Sequence, residues 1–335
     1  IVEMTDPEKR IFRTQMGKSL PTGLENTLAV QAIFPLIRPD EMLGRYKEVS
    51  SDDLPEMHAN IINDLVVSER FDSEIERINS AFSRIILRII GNSDSKEEWQ
   101  IKYLEMFKEA YPNEDSSKYS IVHIANALAH YEELAFASRD TLWDRYLNGD
   151  HSALTNKQKK GAITFFGKGR CVVCHSGPIM SDFEYHNLGI PDFGPGFDGN
   201  GKDMGRFNAT GIEEDKYKFR TPPLRNVSKT YPYFHNGIIS KLEDAVAHHN
   251  KVTFFTDKYR EDGGFMLRGD QMISISPILI EGLNLDNEEI EELVSFLESL
   301  DVIYDEALLS KIIPSKVPSG IPIHWLDSKT KYPSE

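Results

Sequence analysis

Cysteine occurs only at Cys171 and Cys174, and the five residues Cys171-Val172-Val173-Cys174-His175 read C-x-x-C-H. Two thiols one helical turn apart can add to the two vinyl groups of one porphyrin, while the next residue offers an imidazole to the iron. Cys171 and Cys174 therefore read as thioether anchors of a haem c, and His175 as its proximal ligand. A structural disulfide, a redox C-x-x-C or half a zinc site would also use the two cysteines, but each leaves His175 as a coincidence. No second C-x-x-C completes a four-cysteine zinc site, and no strand-rich run precedes the motif as a thioredoxin-like fold needs.

A chain of 335 residues with 40% hydrophobic content can bury one large core or two moderate ones, and two lobes are expected. Its 53 acidic against 38 basic residues give a formal charge of −15, which opposes nucleic acid and anionic membrane and favours a basic protein partner. Covalent haem attachment takes place outside the cytoplasm, so a periplasmic or otherwise exported location follows. The chain opens at Ile1 without a charged-then-apolar leader, and no run approaches the ~20 apolar residues of a membrane helix. A processed or trimmed soluble protein without a membrane span is expected.

Periodicity predicts a mainly α fold with long loops and few short strands. Ser120 to Ala137 sets Ile121, Ile124, Ala125 and Leu128 on one face. Asp286-Asn287-Glu288-Glu289 caps a helix striped by Ile290, Leu293, Val294 and Leu297. Residues 55 to 91 carry further helical patterns, including Ile61, Ile62, Leu65, Val66 and Ile85-Ile86-Leu87. Thr155-Asn156-Lys157-Gln158 is a capping box opening a short helix through Phe165 and Phe166, which leads directly to the haem motif.

The glycine-rich stretch Gly189 to Gly205 contains two misleading patterns. Gly194, Gly196 and Gly199 fit G-x-G-x-x-G, but no apolar strand leads in and no helix follows, as a dinucleotide site needs. Asp198 to Asp203 resembles the start of a calcium loop, yet Lys202 takes a ligand position and Asp203 stands where glycine makes the turn. A loop wrapping the haem edge is expected instead.

The sixth iron position has several candidates: Met180, Met204, His186, His235, His248 and His249. Ser240-Lys241-Leu242-Glu243 reads as a capping box for a helix from Lys241 to about Asn250. Its inward face is then Leu242, Ala245, Val246 and His249, with His248 on a polar side beside Lys241 and Asp244. This geometry favours His249, although a histidine on an apolar face can equally be a hydrogen-bonded core residue.

Three further segments carry a resemblance: Lys218-Phe219-Arg220-Thr221-Pro222-Pro223-Leu224-Arg225-Asn226-Val227, then Thr230-Tyr231-Pro232-Tyr233-Phe234-His235-Asn236-Gly237, then Leu242-Glu243-Asp244-Ala245-Val246. They resemble the bacterial dihaem cytochrome c peroxidase family, which includes the MauG-like enzymes. The likeness extends from about Leu20 through the helix at 287 to 300 to Val317-Pro318-Ser319-Gly320-Ile321-Pro322. It implies two cytochrome-c-like helical lobes: 1–150 as the remainder of an N-terminal peroxidatic lobe, 151–305 as the lobe with covalent haem, and 306–335 as an extension packing back on both.

His249 stands where peroxidases of this family carry a ligand methionine and MauG-like members a tyrosine, which implies a bis-histidine haem of lowered potential. Thr230 and Pro232 fall where the family holds calcium through backbone carbonyls, although as bare sequence they read as an ordinary turn. Arg38-Pro39-Asp40-Glu41-Met42 is similar to the motif whose glutamate is the acid/base at the peroxide site, with Gln31 and Pro35 lining the same pocket. Without the resemblance, Glu41 is a first-turn carboxylate favoured by a helix dipole.

Family enzymes carry a second C-x-x-C-H upstream of the region matching Leu20 to Met42, and this chain has none. The bridging tryptophan also lies upstream, and Trp99, Trp143 and Trp325 do not match it. A first haem-binding segment missing from this chain is the expectation, and a one-haem descendant the other reading. The implied activity is reduction of hydrogen peroxide with electrons from a small cytochrome c or cupredoxin, entering at the C-terminal haem. A MauG-like oxidase acting on a partner protein and a single-haem electron-transfer cytochrome are the rivals, and each is compatible with a homodimer.

Overall fold

The computed structural model describes residues 2–6, 11–14, 20–37, 74–92, 96–136, 140–199, 201–252, 267, 269–303 and 312–320. The chain divides into Ile1–Ala137 with Asp305–Glu335, and Ser138–Tyr304. Helices dominate both units. The described strands are the antiparallel pair β1 (Val2–Asp6) and β2 (Ile11–Thr14), and the two-residue pair β3 (Tyr185–His186) and β4 (Phe219–Arg220).

In the first unit α1 (Thr27–Ile37), α2 (Glu74–Ile90), α3 (Glu98–Ala110) and α4 (Ile121–Ala135) bury apolar faces against one another. Asn26 starts α1 by accepting the Ala29 N–H at 3.0 Å. Val30 and Ile33 of α1 meet Phe82 of α2 and Ile121, Ala125 and Ala129 of α4 in a core with Phe12 and Leu24. The Asn126 side chain ties α4 to the segment before α1, donating to the Gly23 carbonyl at 3.1 Å and accepting from the Glu25 N–H at 3.0 Å. Leu128 departs from expectation: it is exposed, and the buried stripe runs Ile121, Ala125, Ala129. Small side chains at 125 and 129 let α1 come close, so the contact lies on the alanine side of the helix rather than the leucine side.

The second unit is closed at its ends. Thr141 bridges Val302, and the Trp143 N–H donates to the Ser299 carbonyl at 3.2 Å. Its main elements are α5 (Leu142–Leu147), α6 (Asn156–Phe166), α7 (Leu242–Asn250) and α8 (Asn287–Glu298). The boxes opening α6 at Thr155 and α8 at Asp286 form as expected. The box at Ser240 does not: Lys241 is the N-cap of α7 and no side chain caps it. α6 and α8 cross at Gly161, where a Cβ would lie 1.9 Å from the Glu292 carbonyl oxygen. That closeness packs Phe165 and Trp143 against Phe296, tilted and edge-on, in the core behind the haem motif. Among the described residues no helix is long and apolar enough to cross a membrane.

Candidate haem-binding site

α6 ends at Phe166, and the chain turns through Gly167 and Arg170, whose φ is +49°. Cys171–Val173 then forms a single 3-10 turn, and the His175 N–H donates to the Cys171 carbonyl at 2.8 Å. This local helix brings the two cysteines and the histidine to one side. Cys171, Cys174 and His175 all line a cavity of about 410 Å³ within the second unit. Its walls are mainly apolar, with Phe165, Leu188, Leu224, Val246, Leu279 and Leu297 among them.

His249 lines the same cavity from α7, together with Leu242, Ala245 and Val246. The Nδ1–H of His175 donates to the Met180 carbonyl at 3.1 Å, and that of His249 to the Ala245 carbonyl at 2.8 Å. The Ala245 bond fixes the His249 tautomer and leaves its Nε2 with the lone pair that can take iron, while the Pro222 backbone also holds the His175 ring. Burial, aided by the neighbouring His249, holds His175 down to about 4, and burial likewise lowers His249. Both imidazoles are neutral at neutral pH, the form a metal accepts. Both cysteines are free thiols. Burial pushes Cys171 up to about 12 and raises Cys174, so neither is a thiolate of the redox C-x-x-C kind.

The donor set fits a haem c: two protonated thiols for the vinyl groups, two neutral imidazoles for the iron, and an apolar cavity for the ring. The other sixth-position candidates differ from His249 in placement or in contacts. Met180 is buried and serves the site through its carbonyl, and Met204 does not line the cavity. His186 lines the cavity with Nε2 at 3.0 Å from Asp182, and these two with Cys174 make a trio whose donor atoms lie within 4.8 Å of one another. His235 lines it stacked on Phe219, ring centroids 3.5 Å apart. His248 corrects the expectation of a polar position: it is fully buried, and its Nε2 donates to the Leu188 carbonyl at 2.7 Å. A second chain segment covers that side of α7, which the pattern of α7 alone does not disclose.

Ile190 and Asp203, from the glycine-rich loop, line the cavity as a loop at the haem edge would. Asp203 is spent within the loop, accepting from the Gly205 N–H at 2.8 Å and the Asn208 amide at 2.9 Å. Thr230 and Pro232 line the cavity, and the Thr230 hydroxyl donates to the Val227 carbonyl at 3.2 Å. Gln31 and Pro35 sit four residues apart on one face of α1, Gln31 exposed and Pro35 half-buried. The Pro35 ring deprives the Gln31 carbonyl of its helical donor. Glu41 lies outside the described residues.

One group escaped motif reading. Arg225 donates through both terminal nitrogens to Asp144, at 2.6 and 2.7 Å, and through Nε to the Pro178 carbonyl at 2.7 Å. The Arg225 fork holds Asp144 down to about 2.

No family model matches the chain. Cytochrome-c peroxidase IdrP1 of Pseudomonas sp. (strain SCT) is 30% identical over 240 residues, 64% of this chain and 59% of that protein. Cytochrome c peroxidase Ccp of Escherichia coli (strain K12) is 30% identical over 224 residues, 67% of this chain and 40% of its own. Methylamine utilization protein MauG of Methylorubrum extorquens is 28% identical over 198 residues, 59% of this chain and 49% of its own. The chain thus spans about half the length of the curated relatives it matches.

Proposed function

Because this chain belongs to the family of bacterial dihaem cytochrome c peroxidases and MauG-like proteins, we propose that it is the haem-bearing part of an exported peroxidase. The protein would reduce hydrogen peroxide with electrons from a small cytochrome or cupredoxin, received at the C-terminal haem. The observation that carries this reading is the convergence of Cys171, Cys174, His175 and His249 on one apolar cavity.

Cys171 and Cys174 would hold the haem covalently and His175 and His249 would ligate its iron, the group supplying one-electron transfer when bound. The residues of the chain tune that chemistry. Two imidazoles, each made more basic by a carbonyl on Nδ1–H, favour ferric iron and keep the potential low. The apolar wall would shield the ring from water. At the peroxide site, Glu41 would take a proton from the proximal oxygen of peroxide and return it to the leaving oxygen, with Gln31 and Pro35 lining that pocket. A second haem c from a segment outside this chain belongs to that site, and Thr230 and Pro232 would offer carbonyls to calcium.

Two measurements on the full protein test the proposal. The haem-to-polypeptide ratio should be two, and peroxide should rapidly oxidise a reduced small cytochrome in its presence. One haem and a spectrum blind to peroxide would make it an electron carrier instead. Crosslinks or quinones formed in a partner protein, without cytochrome oxidation, would favour the MauG-like reading.

A further inference from the structure

The loop following the haem motif is built to present one carbonyl. The Met180 N–H donates to the Gly177 carbonyl at 3.1 Å and the Ser181 N–H to the Ser176 carbonyl at 2.8 Å. Met180 itself sits at φ +57° with its side chain buried. A methionine held in the left-handed region costs energy that surrounding bonds must offset. The outcome is that the Met180 carbonyl accepts the Nδ1–H of His175.

One short segment clamps both ends of this loop. The Thr221 carbonyl accepts from the buried Ser181 hydroxyl at 2.8 Å. Four residues on, the Arg225 Nε–H donates to the Pro178 carbonyl at 2.7 Å. Arg225 is not free to follow the loop, because both terminal nitrogens are engaged by the Asp144 carboxylate. Asp144 in turn is fixed on α5, where it accepts from the N–H of fully buried Thr141 at 3.0 Å and from its hydroxyl at 2.8 Å. The Arg225 and Asp144 side chains are only 12% and 22% exposed, so the fork is shielded and geometrically exacting. A continuous path therefore runs from α5 through Asp144, Arg225 and Pro178 to Met180 and the imidazole.

We propose that Arg225 and Asp144 are positioning residues for His175, setting the orientation and basicity of its imidazole through the Pro178 and Met180 carbonyls. This rests on the reading of His175 as an iron ligand. Weakening the clamp lets the carbonyl drift, the Nδ1–H bond lengthens, and the imidazole becomes a poorer donor to ferric iron. The potential of this haem then rises.

The test compares R225A, R225K and D144N in the full haem-loaded protein with R145A, which breaks an exposed fork from α5 to Asp140, just before the helix. Intact mass reports covalent haem, redox titration the midpoint potential, and electron paramagnetic resonance the low-spin g-values. R225A should keep its haem yet show a more positive potential and altered g-values. R225K, which retains charge without the fork, should fall between R225A and wild type, D144N should follow R225A, and R145A should match wild type. Should R225A fail to fold, R225K and D144N decide the matter. Wild-type potential and g-values in those variants, however low their melting temperature, would overturn the proposal, because a fold-stabilising pair would move stability alone. Shifted potentials in a protein that does not turn over peroxide would uphold it while removing the peroxidase reading. A wild type without covalent haem would overturn both.

Discussion

At the scale of single residues, the site depends on which ring nitrogen of each histidine is committed. His249 donates Nδ1–H to a carbonyl of its own helix, so its Nε2 is available to the cavity, whereas His248 spends Nε2 on Leu188. Replacing His249 with alanine should turn a low-spin haem high-spin, while an unchanged absorption spectrum would dismiss it as a ligand. Asp144 carries a pH prediction. Its carboxyl is held at about 2, so the Arg225 pair contributes fully above the ordinary carboxylate range near pH 4 and is lost as pH falls through about 2. The Arg225 fork and the Thr141 bonds together contribute at most about 2 kcal/mol, less after solvent screening. Denaturant unfolding followed between those pH values should show this acid-dependent loss in wild type and a smaller one in R225A, which keeps the Thr141 bonds. That the two cysteines, His175 and His249 would face one cavity was legible because C-x-x-C-H is a fixed spacing and His249 lies seven residues after Leu242 on one helix face. Asp144 was not, since its partner is 81 residues away in the chain.

At the scale of elements, local signals did well where the helix end is exposed. The boxes at Thr155 and Asp286 bond within four residues and need nothing from the rest of the molecule. Ser240 is exposed too, yet it does not cap, because of what precedes it. The preceding segment is held by a bridge between Tyr233 and Ile239, and Lys241 takes the cap position instead. Gly161 is the tightest element-level constraint, because its missing Cβ lets α6 lie on the backbone of α8. Gly161→Ala should destabilise the haem-bearing unit by roughly 1–3 kcal/mol through overpacking, even though alanine is the better helix former. Thermal unfolding monitored in the haem band should show a lowered melting temperature, and an unchanged or raised one would contradict the close crossing.

At the scale of the whole molecule, the cavity is lined wholly from within Ser138–Tyr304, and the ends of that unit are joined by the Thr141–Val302 bridge. Residues 138–304 produced alone in a host that attaches haem c should therefore fold and carry one haem per chain. Mass spectrometry and the pyridine haemochrome spectrum would check this. A fragment that is unfolded, or folded without haem, would show that the first unit is needed to form the site.

The sequence by itself determined which residues could carry the proposed chemistry. Thiols spaced by one helical turn, an adjoining imidazole and apolar stripes at helical spacing act over a few residues, so their meaning survives without coordinates. Only the tertiary structure decided which nitrogen each histidine commits, which face of α4 is buried, and that Arg225 ties α5 to the proximal loop. Those outcomes depend on carbonyls and carboxylates supplied from distant parts of the chain. Their positions follow from how the helices pack rather than from any local pattern.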